Sequence, residues 1–176
     1  MKLASRFMPP YKPKKMNKIG LFGFLVVVVA IVIYQPIYLA AILGVALLIV
    51  VWSKFEQPKI DRYFQSLGKE RIGISICEFS REFDTRSVDT WAIRATYEQL
   101  QAALPTTHKI PIKASDNLIE TLKLDEDDLD LDLVEEIAQR TRRSLKNFEA
   151  NPYYGKVTTA KNLVLLFNHQ PVASAT

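Results

Sequence analysis

The chain has 176 residues, enough for one small domain and an additional segment, since ordinary domains run to roughly 100–150 residues. Its 23 Lys and Arg against 19 Asp and Glu give a formal net charge of +4, an average that describes no single stretch. One cysteine, Cys77, excludes a disulfide scaffold, one Cys with two separated His (His108 and His169) does not furnish a closed four-ligand zinc site, and bases that form no stripe interleaved with aromatics argue against nucleic-acid binding.

Residues 1–18 carry six bases (Lys2, Arg6, Lys12, Lys14, Lys15 and Lys18) and no acid, a basic N-terminus expected to be cytoplasmic. Residues 19–52 carry no charge and divide at Gln35-Pro36 into two apolar halves, 19–34 and 37–52. One helix over the whole run would measure about 51 Å against a hydrocarbon core of roughly 30 Å, and Pro36 would interrupt it. Two helices of about 24 Å joined by a tight turn fit better, with Tyr34, Tyr38 and Trp52 at interfacial positions and Lys18, Gln35 and Ser53 at headgroup level. Lys54, Lys59 and Arg62 make the second flank basic as well, so the positive-inside rule puts both ends on the cytoplasmic side of a plasma or inner membrane. A cleaved signal peptide shares the basic start, but the second apolar half and the lack of a small-x-small site argue against it. A hairpin that dips into one leaflet is the other arrangement that the short halves allow. No ionisable residue other than Tyr lies within the run, so it supplies an anchor rather than a proton or ion path, or a packing surface through Gly20, Gly23, Ala40, Ala41, Gly44 and Ala46.

Residues 54–86 read as juxtamembrane helices. Ile60, Tyr63, Phe64 and Leu67 recur at helical spacing up to Gly68, and a second helix is expected over 72–83, with Cys77 inside it as a small buried hydrophobe. A third, starting near Asp84 or Ser87, carries Val88, Trp91, Ala92, Ala95 and Leu100 on one stripe and stops at Pro105. Residues 105–115 read as a linker by composition, and 117–122 as a short turn of helix. Residues 125–136 then hold eight acids and no base. Leu129, Leu133, Val134, Ile137 and Ala138 recur behind them, which predicts an amphipathic helix with a carboxylate face, Asp127 or Asp128 as N-cap, and Arg140, Arg142 and Arg143 at the negative end of its dipole. A last helix is expected after a cap at Thr158 or Thr159, carrying Leu163, Leu166 and Phe167 and ending near Gln170-Pro171, with 171–176 as a tail.

The acidic run does not make a calcium loop, because Leu129 falls on a liganding position and Asp130 stands where the sharp turn needs Gly. Asp128, Asp130 and Asp132 alternate with Leu and spread around a helix at about 100° per residue, so they do not converge on a metal. Nothing supplies a nucleophile with a base, or a glycine loop for phosphate. His108, in the linker, and His169, in the tail, are expected to be exposed and idle. The chain reads as all-α and not as an enzyme, with no catalytic residue, metal or cofactor.

Two stretches carry a family resemblance. Leu118-Ile119-Glu120-Thr121-Leu122-Lys123-Leu124-Asp125 with Asp128-Leu129-Asp130 resembles the segment of acyl carrier proteins that leads into their second helix. Lys156-Val157-Thr158-Thr159-Ala160-Lys161-Asn162-Leu163-Val164-Leu165-Leu166-Phe167 resembles the start and body of their fourth, and Val134-Glu135-Glu136-Ile137-Ala138 is similar to the middle of the second. The resemblance runs over 87–170 and implies a four-helix bundle behind the transmembrane hairpin. Carriers present a Ser there for phosphopantetheine; this chain has Asp127-Asp128-Leu129, with Asp128 in the serine's place, and a carboxylate is not the hydroxyl nucleophile that takes the group. The resemblance therefore implies a membrane-anchored, non-acylated, carrier-like adaptor. Its acidic helix, through Glu126, Asp127, Asp128, Asp130, Glu135 and Glu136, would dock a basic surface of a cytoplasmic protein. Two other readings stand beside it: an accessory subunit assembled with a membrane-protein partner through the hairpin, and a carrier modified at a non-standard serine, Ser144.

Overall fold

The structure is a computed structural model and describes residues 4–13, 18–34, 36–125 and 133–173. Among them are six α-helices and no strand: α1 (Lys18–Tyr34), α2 (Pro36–Glu70), α3 (Ile76–Arg81), α4 (Thr90–Ala103), α5 (Val134–Thr141) and α6 (Ala160–His169). Short 3-10 turns occupy Ser5–Phe7 and Phe148–Ala150. The chain forms two compact units, Lys12–Arg62 and the described residues of Met1–Tyr11 with Tyr63–Thr176.

In the first unit, α1 ends at Tyr34 and α2 begins at Pro36, where the missing N–H of proline costs nothing because the first-turn donors of a helix lack intrahelical partners. α2 then runs for 35 residues through Pro58 and past Gly68, with its residues from Tyr63 onward counted in the second unit. The separate short helix expected from Ile60 is instead the end of this element: Pro58 removes one backbone hydrogen bond, and the surrounding helical turns carry the chain across it. Arg62 Nε donates to the Pro58 carbonyl at 3.0 Å. Among the described residues one helix, Ala40–Glu70 within α2, is long and apolar enough to cross a membrane, and none of its apolar window is buried. The apolar side chains from Gly20 to Ala30 are likewise exposed within their unit. Such a surface is costly in water.

In the second unit α4 is central, packed against α3, α5, α6 and the Ser5–Phe7 turn. Asp89 Oδ1 accepts the Trp91 N–H at 2.9 Å and so starts α4. The buried face carries Trp91, Ala92, Ala95 and Leu100, as the stripe predicts, and the helices packed on α4 bury Phe79, Ile137, Leu163 and Phe167. α3 is shorter than the 72–83 expected, since Arg71–Gly73 form a turn and Ser75 is the N-cap. Met8 is buried, so the basic N-terminus is not wholly a free tail.

The 105–115 linker is a packed strap. Ile110, Ile112, Ala114, Asp116 and Leu118 are buried in alternation with more exposed residues, the two-residue period of an extended segment. Its carbonyls complete the start of α6: Asp116 O accepts from Ala160 N at 3.0 Å and Ala114 O from Lys161 N at 2.8 Å, while Thr159 Oγ1 accepts from Asn162 N at 3.2 Å. Residues 117–122 are a turn held by Asn117 Oδ1, which accepts from Ile119 N and Glu120 N, both at 2.9 Å. Part of the expected tail is also tied down, by an antiparallel bridge between Arg143 and Val172.

Candidate functional site

The described part of the acidic segment is α5. Leu133, Ile137 and Ala138 are buried on one side of it, as the spacing predicts. Glu126, Asp127, Asp128 and Asp130 lie outside the described residues, as do Leu129 and the expected caps at Asp127 and Asp128. Glu135 and Glu136 are half-buried on the first turn. Glu136 accepts a hydrogen bond from the Gln99 amide of α4, so it serves the joint between helices as well as the surface.

Five side chains form that joint. Gln99 Oε1 accepts from Arg140 Nη1 at 2.8 Å, and Arg140 Nη2 pairs with Glu98 Oε2. The other Glu98 oxygen accepts from Arg94 Nε at 2.8 Å. Arg94, Glu98, Arg140, Gln99 and Glu136 therefore make one continuous charged and polar chain from α4 to α5, with the Arg140 guanidinium almost wholly buried. Charge-assisted bonds of this kind fix orientation as well as adding energy.

The arginines expected to complement the α5 dipole are used as cross-links. Arg143 Nη2 pairs with Asp89 Oδ2 at 3.0 Å, and its Nη1 donates to the Gln170 carbonyl at 2.6 Å. Arg142 closes α5 in the left-handed conformation, φ 56°, with its guanidinium 5.6 Å from the centre of the Trp91 ring. Asp89 thus holds both the start of α4 and the end of α5.

A second ionic joint escaped the sequence reading. Arg71, one residue past α2, donates from Nη1 and Nη2 to the two carboxylate oxygens of Asp116, both at 2.6 Å. Arg71 also reaches the Pro111 carbonyl at 2.8 Å, and Asp116 accepts from Lys113 N at 2.8 Å. Both side chains are buried. No local pattern announces a pair separated by forty-five positions in sequence.

The remaining reactive groups are placed plainly. Cys77 is exposed, not buried: it sits on the outer side of α3, where Ser75 Oγ accepts its N–H at 3.2 Å. Ser144 follows the end of α5; its N–H donates to Pro171 O at 2.8 Å and its hydroxyl accepts from Lys146 N at 3.1 Å. His108 is exposed in the strap, and His169 is exposed as well but belongs to the last turn of α6 and not to a tail, with its ring 5.1 Å from that of Tyr153. Among the described residues no three of His, Cys, Asp and Glu come together as a metal site would need. Tyr97 lies against a groove of about 440 Å³ with Ile76, Gln101 and Lys109. Burial pushes its phenol above the ordinary value, partly offset by a backbone hydrogen bond with Ile112.

Comparison with protein-family models, with curated proteins and with solved structures finds no match for this chain.

Proposed function

We propose that this protein is a membrane-anchored, non-acylated, carrier-like adaptor that docks soluble cytoplasmic partners through the acidic segment entering α5. The observation that carries the reading is how α5 is used. Its apolar side is spent against the bundle and its arginines hold it to α4 and α6, while the run feeding into it has eight acids in twelve residues and no base. An anchored helix with a concentrated negative charge suits recognition of a basic surface, where complementary charge sets encounter rate and register. The mutual packing of α4, α5 and α6 supports a carrier-like bundle. With Asp128 at the carrier serine position, the adaptor works without a prosthetic group.

The anchor is read as a hairpin of α1 and α2 in a plasma or inner membrane. Support comes from the segments that flank it: the Ser5–Phe7 turn packs on α4, which lies on the far side of the apolar run in sequence. A chain that leaves a compact unit, traverses an apolar run and rejoins the same unit returns to the side it left. Basic residues on both flanks agree with a cytoplasmic location.

Capture from solubilised native membranes tests the docking claim. The triple variant Asp127→Asn, Asp128→Asn, Asp130→Asn is expected to lose soluble partners that wild type retains, and molar salt to release them from wild type. Partners that survive both treatments would overturn it. The exposed apolar faces of α1 and α2 favour one other reading, assembly with a membrane protein through the hairpin. In that case Gly44→Leu abolishes capture and the acid substitutions do not.

A further inference from the structure

The division into two units also partitions the charge. The Lys12–Arg62 unit has Lys12, Lys14, Lys15 and Lys18 before the apolar run and Lys54, Lys59 and Arg62 after it, against only Glu56 and Asp61, a net charge of +5. The rest of the chain, with sixteen bases and seventeen acids, carries −1. The basic character of the whole protein therefore belongs to its membrane unit. Lys14 and Lys15 lie outside the described residues; Lys12, Lys54, Lys59 and Arg62 are exposed.

We propose that Lys12, Lys54, Lys59 and Arg62 form a collar that binds anionic phospholipid headgroups, giving the protein a preference for anionic over zwitterionic lipid. The inference rests on the membrane-anchor reading above. With Trp52 at the interface, a rise of 1.5 Å per residue puts Lys54 about 3 Å, Lys59 about 10 Å and Arg62 about 15 Å farther along the helix. A Debye length of about 8 Å at physiological salt leaves Lys54 in range of the headgroup charge, Lys59 at its edge and Arg62 beyond it, and lower salt brings all three into range. The same stretch has a place for the lipid itself. A groove of about 390 Å³ follows α2 from Leu48, Ile49 and Trp52 to Gln57 and Ile60, mainly apolar, with Ser53, Glu56 and Gln57 as its polar lining. An acyl chain suits the lower end. Glu56 in the upper wall turns a phosphate away from the groove and toward the lysines that flank it. Nucleic acid and acidic protein answer to the same charge, but the collar abuts a stretch without any charge, and the surface met at that boundary is the bilayer.

Trp52 supplies the readout. The full chain is reconstituted in phosphatidylcholine vesicles containing either brominated phosphatidylglycerol or brominated phosphatidylcholine, and quenching of tryptophan fluorescence gives the relative affinity of the two lipids at the helix surface. A Trp52→Phe chain measures the background from Trp91, which is buried in the helical unit. The expected result is a preference for phosphatidylglycerol at low salt of about fivefold for each base within range of the surface, and so more than about tenfold once Lys54 and Lys59 both act. The preference falls toward unity in molar salt and in the variant Lys54→Gln, Lys59→Gln, Arg62→Gln, with Trp91 emission unchanged as evidence that the helical unit is intact. Equal affinity for the two lipids in wild type, or a preference that the triple variant retains, overturns the proposal while leaving the anchor in place. Absence of quenching by either lipid removes the anchor reading, and this inference with it.

Discussion

Replacing Arg71 by Met and Asp116 by Leu, singly and together, measures what holds the end of α2 to the strap. Arg71→Met leaves a buried carboxylate with only the Lys113 N–H beside it, and Asp116→Leu leaves a buried guanidinium with the Pro111 carbonyl. Breaking a buried pair from one side costs about 3–5 kcal/mol, a large part of a domain stability of about 5–15 kcal/mol. Replacing both partners by apolar side chains removes the stranded charge together with the bond, so the double variant is expected within about 1 kcal/mol of wild type. Two single costs of about 3–5 kcal/mol against a double cost of about 1 kcal/mol give a coupling energy of at least about 5 kcal/mol. The assay is denaturant unfolding of the full chain in detergent, followed through buried Trp91 in a Trp52→Phe background. Additive single costs, with coupling below about 0.5 kcal/mol, would refute the reasoning.

Three further outcomes follow from the helical unit. Met8→Ala is expected to cost about 2 kcal/mol in the same unfolding assay, because Met8 is buried there; a loss too small to measure means the N-terminal segment is not docked. Thr159→Ala removes the side-chain acceptor for Asn162 N and costs about 1 kcal/mol, whereas Thr159→Ser keeps it; equal losses in the two would count against the cap. Burial keeps Tyr97 neutral to higher pH than in the unfolded chain. As pH rises through the unfolded value of about 10, the unfolded chain releases a proton that the folded one retains, so stability is lost until the raised folded value is passed. Tyr97→Phe removes that component, and an unfolding midpoint with the same alkaline slope in both proteins would contradict the assignment.

The elements legible in the sequence are those with a local cause. The α4 stripe repeats over three turns, and the Thr159 cap precedes an uninterrupted apolar period, so both could be located from spacing. The uncharged run and its break at Pro36 follow from composition. Continuity of α2 through Pro58 was hidden because proline and glycine are strong punctuators on average, yet a helix tolerates the loss of one bond when the turns on either side are sound. The strap carried a signal that passed unread: Ile110, Ile112, Ala114 and Leu118 fall at even spacing, but Pro111 and the threonines before it made the stretch look like a linker. Cys77 looks buried because Ile76 and Phe79 flank it, but only Phe79 on that short helix faces the core. At the candidate site the acidic run is plain from the sequence. The ionic chain from Arg94 to Glu136 is not, because apart from Arg94 and Glu98 its members meet only when α4 and α5 pack.

The side on which each flank of the apolar run emerges tests the anchored, one-sided arrangement most directly. Cys77 is exposed and is the chain's one cysteine, so wild type already carries a reporter after the run; Ala4→Cys in a Cys77→Ser background puts another before it. A membrane-impermeant maleimide is applied to sealed vesicles of either orientation. Labelling of both positions in the cytoplasmic-face-out vesicles and protection of both in the opposite ones is the predicted result. Labelling of the two positions in vesicles of opposite orientation would mean an odd number of crossings and would contradict the account.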